Sequence, residues 1–352
     1  VFVSRRKRIL DKPGTVEALA TVADRLRPPV AIVLGSPHEV VDVITGLRIP
    51  DAVCYQMDLY QADRLRQELA AAGQSAAVET APDLWDLPAD FASALYVVSH
   101  GGERILKLDM LEQAFHILRP RGNMVVSSPY EKDSLFPGAL KKIYSRVHVP
   151  PETDGAVLWC RKEDEKRRRR HEVTFQARFN ETTSLRFLSR PGTFSYGRFD
   201  HGARALVETM RIEPGDRVLD VGCGCGTNGI WAGKLAGPTG RVVFVDSNVR
   251  AVALAEMNAR ANGLTDFRAV ASSTVEIPGE NQFDVALANP PYFAQSTIAQ
   301  LFGERCHALL RPGGRFYLVT KQPDTVGPMV AGLFGKAEVV ERRGYIVLCA
   351  AR

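Results

Sequence analysis

From residue 211 to residue 352, short apolar runs rich in β-branched residues alternate with segments whose apolar positions recur at helical spacing. The runs predict strands at 217–221, 241–246, 267–271, 283–288, 315–319, 337–342 and 345–350. Helical patterns lie between the first five and before the sixth. Such alternation predicts an α/β fold with a parallel, doubly wound sheet. The last two runs are joined by Arg343-Gly344, which predicts an antiparallel hairpin at the sheet edge.

The first 160 residues repeat this plan. "AVCYQMDLYQADRLRQELAAAG" (52–73) aligns without gaps with "VVFVDSNVRAVALAEMNARANG" (242–263), at an offset of 190. "HILRPRGNMVVSSP" (116–129) echoes "ALLRPGGRFYLVTK" (308–321), and "GAVLWCRK" (155–162) echoes "GYIVLCAA" (344–351). Two homologous Rossmann-like domains are therefore expected in tandem, over 1–160 and 191–352. Each is expected to be seven-stranded with an antiparallel edge. The copies differ at three places. "DVGCGCGTNG" (220–229) stands opposite "IVLGSPHE" (32–39), Asp246 opposite Gln56, and the tetrapeptide 289–292 opposite 99–102. Only the second copy keeps residues able to hold a cofactor and react; the first is degenerate.

Charge sharpens this division. Residues 1–160 carry 18 basic and 20 acidic side chains, residues 161–190 carry 10 and 5, and residues 191–352 carry 17 and 15. The basic excess lies in the segment 161–190, expected as a linker. Lys166, Arg167, Arg168, Arg169 and Arg170, with Arg186, Arg190 and Arg198, suit a phosphate backbone; a solvated linker is the other reading. The chain of 352 residues has room for two cores, and no run approaches the ~20 apolar residues of a membrane span. No signal peptide is expected ahead of the first basic cluster at 4–8. The six cysteines are scattered and Cys223-x-Cys225 is too close for a paired zinc ligand, so buried thiols in a cytoplasmic, metal-free protein are expected. The internal duplication supplies a pseudo-dimer, which favours a monomer.

"VLDVGCGCGTNG" (218–229) is a buried strand running into a glycine-rich turn. Gly222, Gly224 and Gly226 permit close backbone approach by a ligand. Gly224-x-Gly226-x-x-Gly229 alone fits both a nicotinamide dinucleotide and S-adenosylmethionine. Asp220 at the strand tip suits the cationic amino-acid end of S-adenosylmethionine better than a pyrophosphate. Asp246, ending the next strand, can take both ribose hydroxyls, and Ser272 and Ser273 are placed to meet an adenine edge. After the fourth strand comes Asn289-Pro290-Pro291-Tyr292. The Asn289 side-chain oxygen and the Pro290 carbonyl can accept hydrogen bonds from both N–H groups of a planar exocyclic amine or amide. That aims its weakly nucleophilic nitrogen, while Pro291 stiffens the turn and Tyr292 offers a stacking face.

In their order, "RPGTFSYGRFDHGARALVE" (190–208), "LDVGCGCG" (219–226), "VDSN" (245–248) and "ANPPY" (288–292) resemble class I S-adenosylmethionine-dependent methyltransferases of the small-domain type. With a degenerate copy in front, the whole chain resembles the bacterial rRNA guanine-N2 methyltransferases, which modify 16S or 23S rRNA. The resemblance implies a cofactor site at Asp220, Gly222, Gly224, Gly226, Asp246 and Ser273, and a catalytic turn at Asn289, Pro290, Pro291 and Tyr292. It implies that Phe194, Ser195 and Arg198 line the cofactor mouth or substrate entry, and that the first domain assists substrate binding or folding. Family members often carry Phe at the position of Tyr292, which keeps the aromatic face. The expected partner is rRNA or a ribosomal subunit, with 16S rRNA preferred. Large-subunit rRNA, glutamine methylation of release factors and a cofactor-free RNA-binding role are the alternatives.

Overall fold

The computed structural model describes residues 14–130, 133–279, 281–291 and 295–352. The basic stretch 4–8 and Tyr292 lie outside the described residues. The chain divides into two compact units, with the boundary between Arg170 and His171 and the short segment Met57–Tyr60 counted with the second.

In the first unit, β1 (Val30–Val33), β2 (Ala52–Gln56), β3 (Ala77–Thr80), β4 (Phe91–Val97), β5 (Leu118–Ser127) and β6 (Val157–Arg161) form a sheet of order β3-β2-β1-β4-β5-β6. All neighbours are parallel except β5 and β6. Among the described residues this sheet has six strands where seven were expected. The missing edge strand is reduced to one bridge between His148 and Trp159. Pro150 and Pro151 follow immediately, and without N–H donors they cannot extend a ladder.

The second unit opens with a hairpin of β7 (Val173–Arg178) and β8 (Ser184–Ser189). Its main sheet holds β9 (Arg217–Val221), β10 (Arg241–Asp246), β11 (Phe267–Ala271), β12 (Phe283–Ala288), β13 (Leu310–Thr320), β14 (Glu338–Arg342) and β15 (Tyr345–Ala351), in the order β11-β10-β9-β12-β13-β15-β14. Strands β9 and β12 read as apolar runs because both of their faces are covered. Val218, Phe244, Val285 and Leu287 enter one core, and Leu219, Val243, Ala286 and Leu318 the other. The strand order reverses between β9 and β12, which opens a crevice beyond their carboxyl ends.

The segment expected as a linker, 161–190, divides between the units. Lys162 is buried with its Nζ donating to Leu118 O (2.8 Å), and Lys166 Nζ donates to Lys142 O (3.0 Å) and Ile143 O. The hairpin instead packs Phe175 and Phe187 into the second unit's core, where Phe179 stacks on Trp231 with ring centroids 4.8 Å apart.

Strand register also corrects one equivalence between the copies. Val30 and Ser93 share a row as Val218 and Val285 do, so Asn289 stands opposite Val97 rather than Ser99. The shift of two residues leaves the first copy without an asparagine-proline turn all the same.

The helix Thr227–Ala236 lies close on β10 because glycines face the strand. A Cβ on Gly229 would fall 2.5 Å from Phe244 Cε1 and 2.8 Å from Asp220 Oδ2. Gly229→Ala must push the helix off the sheet, at a cost of about 1–3 kcal/mol. Thermal unfolding followed by circular dichroism is expected to show a midpoint lowered by roughly 3–10 °C.

Candidate active site

A cleft at the strand-order reversal is lined from three directions. The glycine turn contributes Gly222 to Cys225 with Thr227 and Asn228, the lead-in segment contributes Phe194, Ser195, Arg198, Asp200 and Ala203, and the end of β12 contributes Asn289.

The glycine turn owes its shape to left-handed backbone at Gly222 (φ +67°), Gly224 (φ +54°) and Gly226 (φ +88°). A side chain at Gly222 would meet the Phe302 ring at 2.9 Å, whereas no atom lies within 4 Å of a Cβ built on Gly224. The open space in front of Gly224 is where a ligand can touch the backbone.

Two acids anchor the turn. Asp220, only 2 % exposed, accepts from Gly229 N at 2.8 Å through Oδ2. Burial raises its pKa to about 7; the Gly229 hydrogen bond works against the rise and the Asp246 charge adds to it. Asp246 is half-buried at the tip of β10. Its Oδ2 accepts from Gly224 N and its Oδ1 from Asn248 N, both at 2.9 Å. Burial raises its pKa to about 6 against these two hydrogen bonds, and Asp58 contributes further in the same direction. One oxygen of Asp220 thus shapes the turn from within, while Asp246 ties the turn to the next strand.

Asn289 follows directly on β12, and its Nδ2 donates to Asp200 Oδ2 at 3.1 Å. Asp200 is the N-cap of the helix His201–Thr209, accepting from Ala203 N at 2.8 Å through the same oxygen. The cap therefore fixes the carboxylate, and the carboxylate fixes the plane and sense of the Asn289 amide. Pro290 is buried and Pro291 half-buried beside it.

The lead-in segment is pinned from the helix Val249–Ala261. Asn248 Nδ2 donates to Gly192 O (2.8 Å), and Arg250, fully buried, donates from Nη1 to Pro191 O. Asn258 accepts from Leu188 N (2.8 Å) and donates to Leu188 O and Cys225 O, both at 2.9 Å, joining hairpin and glycine turn. Phe194, 42 % exposed, and Arg198, also exposed, stand at the mouth.

Other expected residues are not among those lining the cleft. Ser272 accepts from Glu276 N at 2.9 Å in a local turn, and Ser273 is half-buried after β11 without lining the cleft. Lys166 to Arg170 belong to the first unit, where Lys166 is engaged by carbonyls and Arg168 and Arg170 lie 5.5 and 5.6 Å over the Trp85 ring. Arg167 and Arg169 are exposed in the same stretch. Arg190 is 7 % exposed and faces Glu172 at 3.8 Å, which leaves it little surface for a phosphate. No group of side chains suited to a metal ion occurs among the described residues. The cysteines are free, and burial pushes the thiols of Cys54, Cys160 and Cys225 up to about 12.

Sequence reasoning missed Asp200, Asn228, Asn248, Arg250 and Asn258. A capping signal was available for Asp200 and Asn248, each just before a helical run. Asn228 is 6 % exposed, with Oδ1 buried and without a hydrogen-bond partner among the described residues. No local pattern announces it.

The model of the methyltransferase small-domain family matches residues 184–349. The chain is 33% identical over 177 residues to ribosomal RNA small subunit methyltransferase C of Pseudomonas entomophila, covering 48% of this chain and 51% of the relative. It is 34% identical over 180 residues to the protein of that name from Chromohalobacter salexigens, covering 46% and 53%. The matches thus span about half the length of these curated relatives. A solved 16S rRNA N2 methyltransferase of T. thermophilus, in complex with AdoMet and guanosine, has the same two-domain fold. Its TM-score is 0.73 at 23% identity, over 94% of this chain and 92% of that one. Residues 184–349, from the second hairpin strand to the last strand of the sheet, are thus similar to the methyltransferase small-domain family.

Proposed function

We propose that this protein transfers a methyl group from S-adenosylmethionine to the exocyclic N2 amino group of a guanine in small-subunit (16S) rRNA. The placement of Asn289 carries the reading: its amide is oriented by Asp200 at the strand-order reversal, beside the open face of the glycine turn. The names of the curated relatives and of the fold neighbour support the choice of rRNA as substrate.

The cleft suits the cofactor on three counts. The open space over Gly224 admits a ligand to the backbone, and the buried Asn228 Oδ1 is an acceptor of the kind an α-ammonium group requires. Asp246, held by two backbone N–H groups, presents a fixed carboxylate for ribose hydroxyls. Gly222 and Gly226 shape the turn, Asp220 holds it and adds negative charge behind it, and Ser273 stands near the tip of β11 for the adenine end. When bound, S-adenosylmethionine supplies an electrophilic methyl group on a cationic sulfur.

The remaining chemistry belongs to the chain. The N2 lone pair of guanine is delocalised into the ring, so the nitrogen is a poor nucleophile while flat. Asn289 Oδ1 and the Pro290 carbonyl accept hydrogen bonds from its two N–H groups, hold it in line and favour the pyramidal form, and the methylated nitrogen sheds one proton to solvent after transfer. Pro291 keeps the turn rigid, and Tyr292 takes the face of the unstacked base. Phe194 and Arg198 receive the flanking nucleotides at the mouth, with Arg167 and Arg169 available to more distant phosphates. The reading makes rRNA or the small subunit the partner of a cytoplasmic monomer. Among the described residues no helix is long and apolar enough to cross a membrane.

The test is incorporation of label from methyl-tritiated S-adenosylmethionine into deproteinised 16S rRNA and into isolated small subunits. Label recovered as N2-methylguanosine from at least one of them is expected. Label found only in 23S rRNA or in protein overturns the reading.

A further inference from the structure

We infer that the amino edge of the first unit's sheet is a second RNA-contact site, an arginine cradle for the phosphodiester backbone. The inference rests on RNA being the substrate and adds a place for it to bind outside the reacting cleft.

Arg25 and Arg27 before β1, Arg119 and Arg121 at the start of β5, and Arg161 at the end of β6 line one cavity with Asn123 and Trp159, and no carboxylate lines it. Residues 1–160 are net acidic, with 18 basic and 20 acidic side chains, and from the basic stretch 161–170 the cavity takes Arg161, so the positive charge of the cradle is local. The cradle is built rather than incidental. Arg25 lies 4.4 Å over the Trp159 ring, which itself stacks on His148 at 4.1 Å. Asn123 Nδ2 donates to Arg25 O (2.9 Å), and Arg161 Nε donates to Arg121 O (3.3 Å).

The second unit provides an internal control. Val30, Ser93, Asn123 and Arg161 form one row across the first sheet, as Val218, Val285, Arg315 and Ala351 do across the second. Counting from that row, the second copy has Glu213, Asp216 and Asp284 where the first has Arg25, Pro28 and Ala92. Those acids pair with Arg311 and Arg315 and neutralise the edge. The first copy has lost the acids, kept Arg119 opposite Arg311, and placed Arg27, Arg121 and Arg161 where the second has Gly215, Gly313 and Ala351. Arg121 even holds the left-handed conformation (φ +64°) of its glycine counterpart (φ +76°). In the first unit Arg25 meets Asp24 at 3.3 Å and Arg161 meets Glu163 at 3.9 Å, both exposed acids. Arg27, Arg119 and Arg121 form no ion pair among the described residues.

Guanidinium forks match phosphate oxygens in pairs. Arg27, Arg119, Arg121 and Arg161 are exposed along an open rim, which suits a strand passing over the edge better than an engulfed small anion.

The test uses the full chain and a fluorescent 16S rRNA fragment, with anisotropy read from about 50 to about 300 mM salt. The Arg119→Gln/Arg121→Gln double variant is expected to bind about tenfold more weakly at the lowest salt. Its slope of log affinity against log salt should be shallower by about 1.4, as for two lost contacts to single-stranded RNA. The Arg119→Lys/Arg121→Lys variant should recover most of the slope. Thermal midpoint and S-adenosylmethionine affinity should be unchanged in both, and the methyl-transfer defect of the Gln variant should lie in KM for RNA rather than kcat. Unchanged RNA affinity and slope overturn the inference, as does tight competition by inorganic phosphate alone. Loss of RNA binding in a protein that methylates no RNA leaves the cradle standing and removes the methyl-transfer reading. Methylation by wild type and variant with equal KM does the reverse.

Discussion

Asn289→Ala is expected to abolish methyl transfer to RNA while leaving cofactor binding intact. The Asn289 amide is held by Asp200, which is in turn held as the cap of the helix His201–Thr209. Alanine removes an acceptor that the proposed mechanism uses when the nitrogen becomes pyramidal. Loss of one such preorganised group costs on the order of 100- to 1000-fold in kcat. Single-turnover transfer from labelled cofactor should show that loss, and calorimetry should show S-adenosylmethionine affinity within about twofold of wild type, a difference well under 1 kcal/mol. Asp200→Asn retains an oxygen for both Ala203 N and Asn289 Nδ2 and should keep most activity. Asp200→Ala loses the cap, worth about 1 kcal/mol, together with the orientation of Asn289. A fall in cofactor affinity as steep as the fall in rate would place Asn289 in the cofactor site instead.

Asp220→Asn is expected to weaken cofactor binding by about 100-fold, roughly 2.7 kcal/mol, and to flatten its pH dependence. The carboxyl of Asp220 is raised from 3.8 to about 7, chiefly by burial, and that of Asp246 to about 6. The sign follows from these shifts. Between pH 4 and 7 the folded state keeps protons that the unfolded state has lost, so stability contributed by these groups is full below pH 4. It is lost as pH rises through 6 and 7, by an amount on the order of a few kcal/mol. A cationic ligand favours the carboxylates, so cofactor affinity should rise over the same window with release of protons. Calorimetry in buffers of different ionisation enthalpy measures that release directly. Asn at 220 keeps the Gly229 hydrogen bond without the charge, so the variant should be more stable than wild type above pH 7 and release fewer protons. Affinity that is independent of pH in the wild-type protein would contradict this role for Asp220.

The strands were legible where apolar runs end in polar residues. The bounds read for β9, β10, β11 and β12 coincide with those of the structure. Strand β13 begins at Leu310, five residues before the expected start, because Arg311-Pro312-Gly313-Gly314 has turn chemistry and is carried inside a strand with a register shift. The lost edge strand of the first sheet was signalled only by Pro150 and Pro151, which single-copy periodicity does not weigh. At the cleft, the glycine turn, Asp220, Asp246 and Asn289 could be named because each sits at a strand tip, a position that pattern reveals. Asp200 could be read as a helix cap but not as the partner of Asn289, which is 89 residues away in sequence and is brought beside it by the fold. The linker arginines looked equivalent in sequence. Packing separates them: Lys166 is tied down by main-chain carbonyls, Arg168 and Arg170 lie over Trp85, and Arg190 is buried. The arginines of the first sheet's edge went unnoticed for the opposite reason, being scattered in sequence and gathered by the fold.

Mass-spectrometric mapping of 16S rRNA nucleosides from cells with and without the gene tests the central claim most directly. Loss of one N2-methylguanosine, restored by the wild-type gene and not by Asn289→Ala, is the expected result. An unaltered set of 16S nucleosides, or full restoration by the Asn289→Ala gene, would contradict the account.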